Sequence, residues 1–285
     1  MNISIKTNNI MPKLNRMLAP AFFTMGRSMK NCKEEFNDEK FFGNVFVDQK
    51  QLKRYNTFFG FSQDLPLSYL YLFAQRAQIS LMLDKKFPLS IPGLVQIDNT
   101  IKKYDEINSI EQFFINVSVR IPYCADGSIF PSFSVDFIQD DKKVANCIST
   151  YIARRTGKKR SVNKNDMPAP VLKALRTEQW FLDKNLGWKY ASVSDDYNLI
   201  HLFKTFSRMV GFHHPIVQGW YSVSKAVAAM EFDISRELQN ICVYFKKPVF
   251  LPGSAVFEYL KSKDERVEFN IKDIKGDILV NGFVS

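Results

Sequence analysis

A pattern that occurs twice constrains the fold of this chain more than any other feature. In each half, a long run with apolar residues at helical spacing precedes short segments rich in β-branched and aromatic residues. The first run covers residues 64–86, with Asp64 as the predicted N-cap and Pro66 in the first turn. The second begins at about Gly219. Each run predicts a long helix, and each following set of segments predicts antiparallel strands.

The two predicted sets of strands can be laid over each other. They lie at residues 94–101, 113–119, 133–137 and 144–152, and at residues 241–245, 255–260, 267–271 and 278–284. The second helix is expected to carry one apolar face, formed by Val223, Val227, Met230 and Ile234. Residues 97–103 and 241–247 share one pattern, and each segment opens its set of strands. We interpret this as a diverged duplication of one unit, a long helix wrapped by an antiparallel sheet. Chance similarity between β-rich segments is the alternative.

Composition narrows the class of protein further. The chain has 285 residues, 46% hydrophobic and 24% charged, which is typical of a globular protein with a sizeable core. Its four cysteines are widely spaced, so we expect neither a metal site nor a disulfide framework, and a reducing cytoplasm fits best. No stretch approaches the ~18 to 20 continuous apolar residues of a membrane span. Pro20 interrupts the short apolar run at residues 17–23, so a cleaved signal peptide is not expected either.

The chain is predicted to have four parts. Residues 1–40 form an N-terminal arm or a short extra helix, residues 41–153 the first unit, residues 154–176 a basic, proline-containing linker and residues 177–285 the second unit. Much of the net charge of +10 lies in the basic run that opens the linker. This charge suits a solvated linker, or a surface for the phosphates of coenzyme A or for an acidic carrier protein.

The candidate chemistry lies in residues 196–201, which bring together the carboxylate of Asp196, the amide of Asn198 and the imidazole of His201. If the chain bends here, both ionisable groups can face one pocket, and a histidine with a pKa near neutrality suits a general base. An Asp-x-Asn segment is also an ordinary helix cap, and this structural alternative stays open.

The flanking residues complete the predicted site. We predict a strand at residues 188–193 and a helix at residues 202–210 that stops at Gly211. Gly219, at the start of the second long helix, could offer its backbone N–H to a developing oxyanion, because the helix dipole favours negative charge there.

The segment Ser194-Asp-Asp-Tyr-Asn-Leu-Ile-His201 resembles the signature of the MaoC-like family, the R-specific enoyl-CoA hydratases and 3-hydroxyacyl dehydratases, usually Ser-Gly-Asp-x-Asn-Pro-Ile-His. The similarity continues through Gly211-Phe212, Ile216, Gln218-Gly219-Trp220 and residues 245–253. Residues 65–69 and 87–96 are similar to the diverged first unit of two-unit members, which here lacks an Asp…His pair.

This resemblance implies a double hotdog fold with one active site, in the second unit. Asp196 and His201 would hold the water that adds to the β-carbon of an acyl thioester, Asn198 would support them, and the Gly219 amide would polarise the thioester carbonyl. The reaction would need no cofactor. Coenzyme A or acyl carrier protein would deliver the acyl chain, as in fatty acid metabolism, and the first unit would give room for its tail. A homodimer is left open.

Three residues depart from the family pattern. Asp195 stands in place of Gly, Leu199 in place of Pro and Gln218 in place of His. A carboxylate beside Asp196 could raise a pKa or crowd the turn. Gln218, Trp220 and Phe212 are weaker candidates for substrate contacts. His213 and His214 are expected on a loop surface.

Three other functions remain as alternatives. The departures from the family pattern would suit a catalytically impaired protein that binds acyl-CoA, and hotdog folds also host thioesterases. Binding of nucleic acid would rest on the positive charge alone and is not expected.

Overall fold

The computed structural model describes residues 10–27, 35–122, 128–153, 176–233, 237–261 and 266–285. In the N-terminal unit, helix α1 (Leu14–Phe22) precedes strand β1 (Phe36–Val45), helices α2 (Gln49–Phe59) and α3 (Leu70–Met82), and strands β2 (Leu94–Lys103), β3 (Phe113–Ile121), β4 (Ser132–Gln139) and β5 (Lys142–Ala153). The C-terminal unit holds strand β6 (Arg176–Leu182), helices α4 (Leu186–Ser194), α5 (Leu199–Leu202), α6 (Lys204–Met209) and α7 (Gly219–Asp233), and strands β7 (Asn240–Phe245), β8 (Gly253–Lys261), β9 (Val267–Lys272) and β10 (Ile278–Val284).

The ten strands found among the described residues form one antiparallel sheet in the order β1-β3-β4-β5-β2-β7-β10-β9-β8-β6. The two units meet at the centre, where β2 pairs with β7 and Asn99 lies opposite Val243. These two residues also occupy matching positions when residues 97–103 are laid over 241–247. Equivalent residues that face each other across a strand pair mark a local two-fold axis, as expected for a duplicated unit.

Each unit packs one long helix against its strands. Helix α3 is buried around most of its circumference, from Leu70 through Ala74 and again at Ala77, Gln78 and Leu81. It contacts β1, β3, β4 and β5, and in β3 and β4 the buried side chains alternate with more exposed ones. A helix that is apolar on almost every side has to be enclosed, and the strands of the sheet cover it.

The outer strands β1 and β6 were not predicted from the sequence. Strand β1 begins at Phe36, inside the segment predicted as an arm, and contains Asp38, Glu39 and Lys40. Charged side chains are common on edge strands because they discourage pairing with another chain. They also hide the alternating pattern by which strands are recognised.

Helix α1 lies across the N-terminal unit. It contacts α3, and the guanidinium of Arg76 donates hydrogen bonds to the carbonyls of Met11 and Pro12, at 3.1 and 3.0 Å. Of the two alternatives for the first forty residues, the described part therefore contains the extra helix.

Three local predictions were wrong. A short 3-10 turn at Leu67–Tyr69, which begins after Pro66 in extended conformation, precedes α3, so Asp64 is not its cap and the helix ends at Met82 rather than near residue 86. Residues 188–193 are part of helix α4 and not a strand, because packing against α2 overrides their β-prone composition. The helix predicted at residues 202–210 is divided at Phe203, whose ψ of 129° is extended.

Some predictions fall outside the described residues. These are Ile234 on the face of α7, Cys32 and Cys124, and the basic linker at residues 154–175. Cys147 and Cys242 are described, and both are free and buried. Within the described ranges, none of the helices has the length and apolar character needed to cross a membrane.

Candidate active site

A sharp turn after α4 brings Asp196 into the interior. Asp195 ends the helix in the left-handed region, with φ 63°, and its N–H donates to the carbonyl of Ala191 at 2.9 Å. The next N–H, of Asp196, donates to Ser194 Oγ at 3.2 Å. Asp196 is 6% exposed, although an isolated carboxylate is costly to bury. Its burial therefore requires polar partners.

Two N–H donors bind the Asp196 carboxylate. Gln75 Nε2 donates to Oδ2 at 3.2 Å, and the Asn198 N–H donates to Oδ1 at 3.3 Å. Asn198 belongs to the same turn, whereas Gln75 lies on α3 of the N-terminal unit. The carboxylate is thus held between the two units, and hydrogen bonds to both oxygens fix its plane.

The Asn198 side chain caps helix α5. Its Oδ1 accepts a hydrogen bond from the Ile200 N–H at 3.4 Å, and its carbonyl accepts one from the His201 N–H at 3.0 Å. Asn198 is therefore a helix cap, as one prediction had it, and the same position leaves it available for the supporting role that the other predicted. Asn198 starts the short helix that carries His201 back toward Asp196.

One hydrogen bond orients the His201 ring. Nδ1 lies 2.8 Å from the carbonyl of Ile216, and a carbonyl can only accept, so Nδ1 carries the proton. In the neutral ring Nε2 then has a free lone pair. Burial lowers the pKa of His201 below its ordinary value of 6.5, and the Asp196 charge and the Ile216 hydrogen bond act in the opposite direction. The neutral base is therefore the form present at neutral pH.

Gly187 gives α5 the space it needs. A Cβ at this position would lie 2.3 Å from the carbonyl oxygen of His201, a backbone atom that cannot move away alone. The close crossing of α4 and α5 beside His201 depends on this glycine.

Gly219 is the first residue of α7, so its N–H precedes the helical hydrogen-bond ladder and lies at the positive end of the helix dipole. A Cβ here would lie 2.8 Å from the Phe245 ring. The residue before it, Gln218, is 2% exposed, and its Nε2 donates to the carbonyls of Gly187 and Asp196 at 3.1 and 3.2 Å. Gln218 thus connects the start of α7 to the turn that carries the carboxylate.

The remaining candidates lie around this centre. Trp220 is 3% exposed and its ring stacks on Tyr71, with ring centroids 4.1 Å apart. Phe212 packs edge-on against Phe250 on the loop before α7, where His213 is exposed. Contacts of Gln218, Trp220 and Phe212 with substrate stay predictions.

Gln75 was missed in the sequence, although a signal for it exists. Tyr71, Gln75 and Gln78 are spaced four and three residues apart on a helix whose other buried residues, apart from Ser80, are apolar. Polar groups in one line on a buried helix need partners, and such a line indicates a buried polar site.

Comparisons with known proteins concern the domain type and the fold. Residues 167–281 match the MaoC like domain. HtdX of Mycobacterium tuberculosis has a similar fold, with a TM-score of 0.69 at 18% identity over 87% of this chain and 99% of that one. A MaoC-like dehydratase from Phytophthora capsici gives a TM-score of 0.64 at 17% identity, over 88% and 95% of the two chains. An acyl-ACP thioesterase from Bacteroides thetaiotaomicron gives 0.54 at 10% identity, over 87% and 96%. No curated protein matches the sequence.

The ten-stranded sheet, the two enclosed helices and the structural relatives define the fold class as the double hotdog, as predicted. Residues 167–281 of the C-terminal unit match the MaoC like domain, and this match supports an enzyme of the hydratase and dehydratase kind.

Proposed function

We propose that the protein catalyses the R-specific hydration of 2-enoyl thioesters, and the reverse dehydration of 3-hydroxyacyl thioesters. The observation that carries this proposal is the pairing of a carboxylate fixed at both oxygens with a histidine whose Nε2 is free to accept a proton. Two acceptors that act on one another electrostatically can share a single water molecule.

In the hydration direction, Asp196 and His201 each accept a hydrogen bond from this water, which directs its oxygen lone pair at the β-carbon. As the oxygen bonds to the β-carbon, one of the two residues takes a proton from the water. The same proton is then given to the α-carbon on the same face of the double bond. The water thus supplies both the hydroxyl group and the new hydrogen, and no redox step is involved.

The negative charge that develops on the thioester oxygen needs a donor. The Gly219 N–H, at the positive end of α7, is the group we assign to it. We expect coenzyme A or acyl carrier protein as the acyl carrier, in agreement with the net charge of +10. The free, buried thiols of Cys147 and Cys242 suit the reducing cytoplasm proposed as its location.

The test is hydration of crotonyl-CoA and of longer 2-enoyl-CoA thioesters, followed by loss of enoyl-thioester absorbance and by chiral chromatography of the product. We expect the 3R-hydroxyacyl product. Absence of turnover on both coenzyme A and carrier-linked substrates, or a 3S product, would contradict the proposal. Tight binding of acyl-CoA without any turnover would instead support an impaired, acyl-binding protein.

A thioesterase is the second candidate, and similarity of fold to an acyl-ACP thioesterase favours it. A water held between Asp196 and His201 could attack the thioester carbonyl rather than the β-carbon. Release of free thiol from saturated acyl-CoA, measured with a thiol reagent, distinguishes this reaction from hydration.

A further inference from the structure

A row of aromatic rings connects helices α1, α4, α5 and α6. The ring of Trp188, on α4, lies 6.4 Å from that of Tyr197 and 5.4 Å from that of Phe203, measured between ring centroids. The Phe203 ring lies 6.1 Å from that of Phe206, and the Phe206 ring lies 6.1 Å from that of Phe22, at the end of α1. These five residues and the side chains next to them form one surface, here called the aromatic surface.

Large apolar side chains of the aromatic surface are open to solvent. Trp188 and Phe203 are each 43% exposed, and Met209, the last residue of α6, is 67% exposed. Phe23, which follows Phe22 in the chain, is 90% exposed. Single exposed apolar residues are ordinary on a protein. A group of them on adjoining elements indicates a place where another molecule binds.

The same elements carry positive charge. Lys204 and Arg208 are exposed on α6, and Arg16 is exposed on α1. Residues 197–230, which include α5 and α6, contain neither aspartate nor glutamate, and the same is true of residues 1–33, which include α1. Charge complementarity therefore favours an acidic partner.

The aromatic surface lies beside the proposed reaction centre. Tyr197 follows Asp196 in the chain, and Phe203 comes two residues after His201. Residues 197–202 are each half-buried, so the site comes close to solvent on this side. On the other side, Asp196 meets helix α3, which the sheet covers. A carrier that brings a thioester to this centre therefore contacts the protein around α4, α5 and α6.

We propose that the aromatic surface binds acyl carrier protein, and that the substrate is the acyl group on the flexible arm of that protein. This inference rests on the proposed hydratase function and names the carrier, which that function leaves open. Positive charge alone suits coenzyme A equally well, because it carries phosphates. Coenzyme A is a thin, polar chain, however, and would leave Phe23 and Met209 in water. A folded acidic protein covers such side chains and also pairs with Lys204 and Arg208.

The test presents one acyl group on two carriers, as crotonyl-CoA and as crotonyl linked to a purified bacterial acyl carrier protein. We expect KM to be about tenfold or more lower for the carrier-protein substrate. Binding of the fluorescently labelled carrier protein, followed by anisotropy, should weaken as salt is added, because salt screens the charged contacts. A KM for the carrier-protein substrate equal to or above that for crotonyl-CoA overturns the inference.

Three variants test the aromatic surface itself. Lys204→Glu and Arg208→Glu reverse exposed charges, and Met209→Asp replaces an exposed apolar side chain. Each should raise KM for the carrier-protein substrate by about tenfold and change kcat/KM for crotonyl-CoA by less than about twofold, which also shows that the variant is folded. Lys142→Glu, at an exposed lysine that begins β5, is the matched control and should change neither value. An unchanged KM in all three variants, or equal losses on both carriers, overturns the inference.

Other occupants of the aromatic surface give different results. Sedimentation with phosphatidylglycerol vesicles, without binding of carrier protein, would assign the surface to a membrane. A dimer in light scattering that Met209→Asp dissociates would assign it to a second copy of the chain. Either result overturns the inference.

Failure of the carrier inference is distinguishable from failure of the hydratase proposal. If neither thioester is hydrated, the hydratase proposal fails, and the anisotropy of the labelled carrier protein with Arg208→Glu still tests the surface by itself. If crotonyl-CoA is hydrated and the carrier protein does not bind, the hydratase proposal stands and only the carrier inference fails.

Discussion

The two units share one framework and differ in the connection between their two helices. Each has an edge strand, a short helix, a long enclosed helix and four further strands, in the same order along the chain. In the N-terminal unit, residues 60–69 join α2 to α3 with little more than a turn. In the C-terminal unit, residues 195–218 join α4 to α7 and contain α5 and α6. The candidate catalytic residues lie in this longer connection, and the sheet serves as their support.

The two connections begin in the same way. Gly60 ends α2 with φ 80°, and Asp195 ends α4 with φ 63°, so both short helices stop in the left-handed conformation. Only the second continues into the turn that buries a carboxylate. The left-handed helix cap is therefore part of the shared framework, whereas the candidate catalytic residues follow it only in the C-terminal unit.

The largest effect is expected from substitutions that remove a candidate catalytic group from the longer connection. Asp196→Asn and His201→Ala should each lower kcat for enoyl hydration by about 10³-fold or more, since proton transfer needs both acceptors. Steady-state kinetics measure the loss, and circular dichroism checks that each variant is folded. Asp64→Asn in the shorter connection is the matched control and should retain full activity. Equal losses in all three variants would contradict the assignment.

Gly187 tests how closely α5 must approach α4. In Gly187→Ala the new Cβ would meet the His201 carbonyl at 2.3 Å, so α5 has to move. We expect kcat to fall by about 10²-fold through misplacement of His201. The free energy of unfolding should fall by about 1 to 3 kcal/mol. Gly26→Ala, where the Cβ meets no atom within 4 Å, should change neither kcat nor the urea midpoint.

The pH dependence tests the state of His201. Burial lowers its pKa below 6.5, so the neutral base persists as the pH falls through 6.5 and is lost only below the lowered pKa. We expect kcat to be flat from pH 8 to 6.5 and then to fall about tenfold per unit once the pKa is passed. The free energy of unfolding should also decrease as the pH falls. The unfolded chain binds the proton first, so the contribution of neutral His201 is complete above 6.5 and declines as the pH falls below it.

A pH profile of kcat between 4.5 and 8 measures this acidic limb, the fall of kcat at low pH. The control is a double variant, His213→Ala with His214→Ala, which should show the same acidic limb because both side chains lie exposed on the loop before α7. An acidic limb centred above 6.5 would contradict the structure.

Gln75 tests what the N-terminal unit contributes to the site. Gln75→Leu removes the hydrogen bond to Asp196 Oδ2 and leaves a buried carboxylate oxygen without it. We expect about a tenfold loss of kcat with little change in KM, and a shift of the pH profile that a purely structural role would not cause. Gln51→Leu is the matched control, since Gln51 donates to the Val193 carbonyl of the other unit without touching the carboxylate. If both variants lose activity equally, contact between the units matters and the Gln75 hydrogen bond does not.

The sequence predicted the fold class, eight of the strands and the residues that meet at the turn. It did so because enclosed strands alternate clearly and because the motif is local. The edge strands β1 and β6 were not predicted, because their charged residues mask the alternating pattern. Helix α4 was predicted as a strand, because its residues are β-prone although they pack as a helix. The line of polar residues on α3 could have indicated a buried polar site, but the partner of Gln75 could not be assigned because it is distant along the chain. The sequence also could not reveal the hydrogen bond from Gln218 to the Asp196 carbonyl, and the predicted contact of Gln218 with substrate stays a prediction.

The smallest expected effect concerns Asp195, the departure from the family pattern that stands beside the carboxylate. Its φ of 63° explains why glycine suits this position, and aspartate is among the few other residues that adopt it at modest cost. Asp195→Gly should therefore raise the free energy of unfolding by up to about 1 kcal/mol and change kcat less than twofold. Asp141→Gly, with φ 58° in the turn between β4 and β5, makes the same change far from the site and should give a similar gain in urea unfolding. A large rise in kcat for Asp195→Gly alone would mean that the Asp195 charge hinders the reaction. The replacement of glycine by aspartate at this position would then affect catalysis and not only the helix cap.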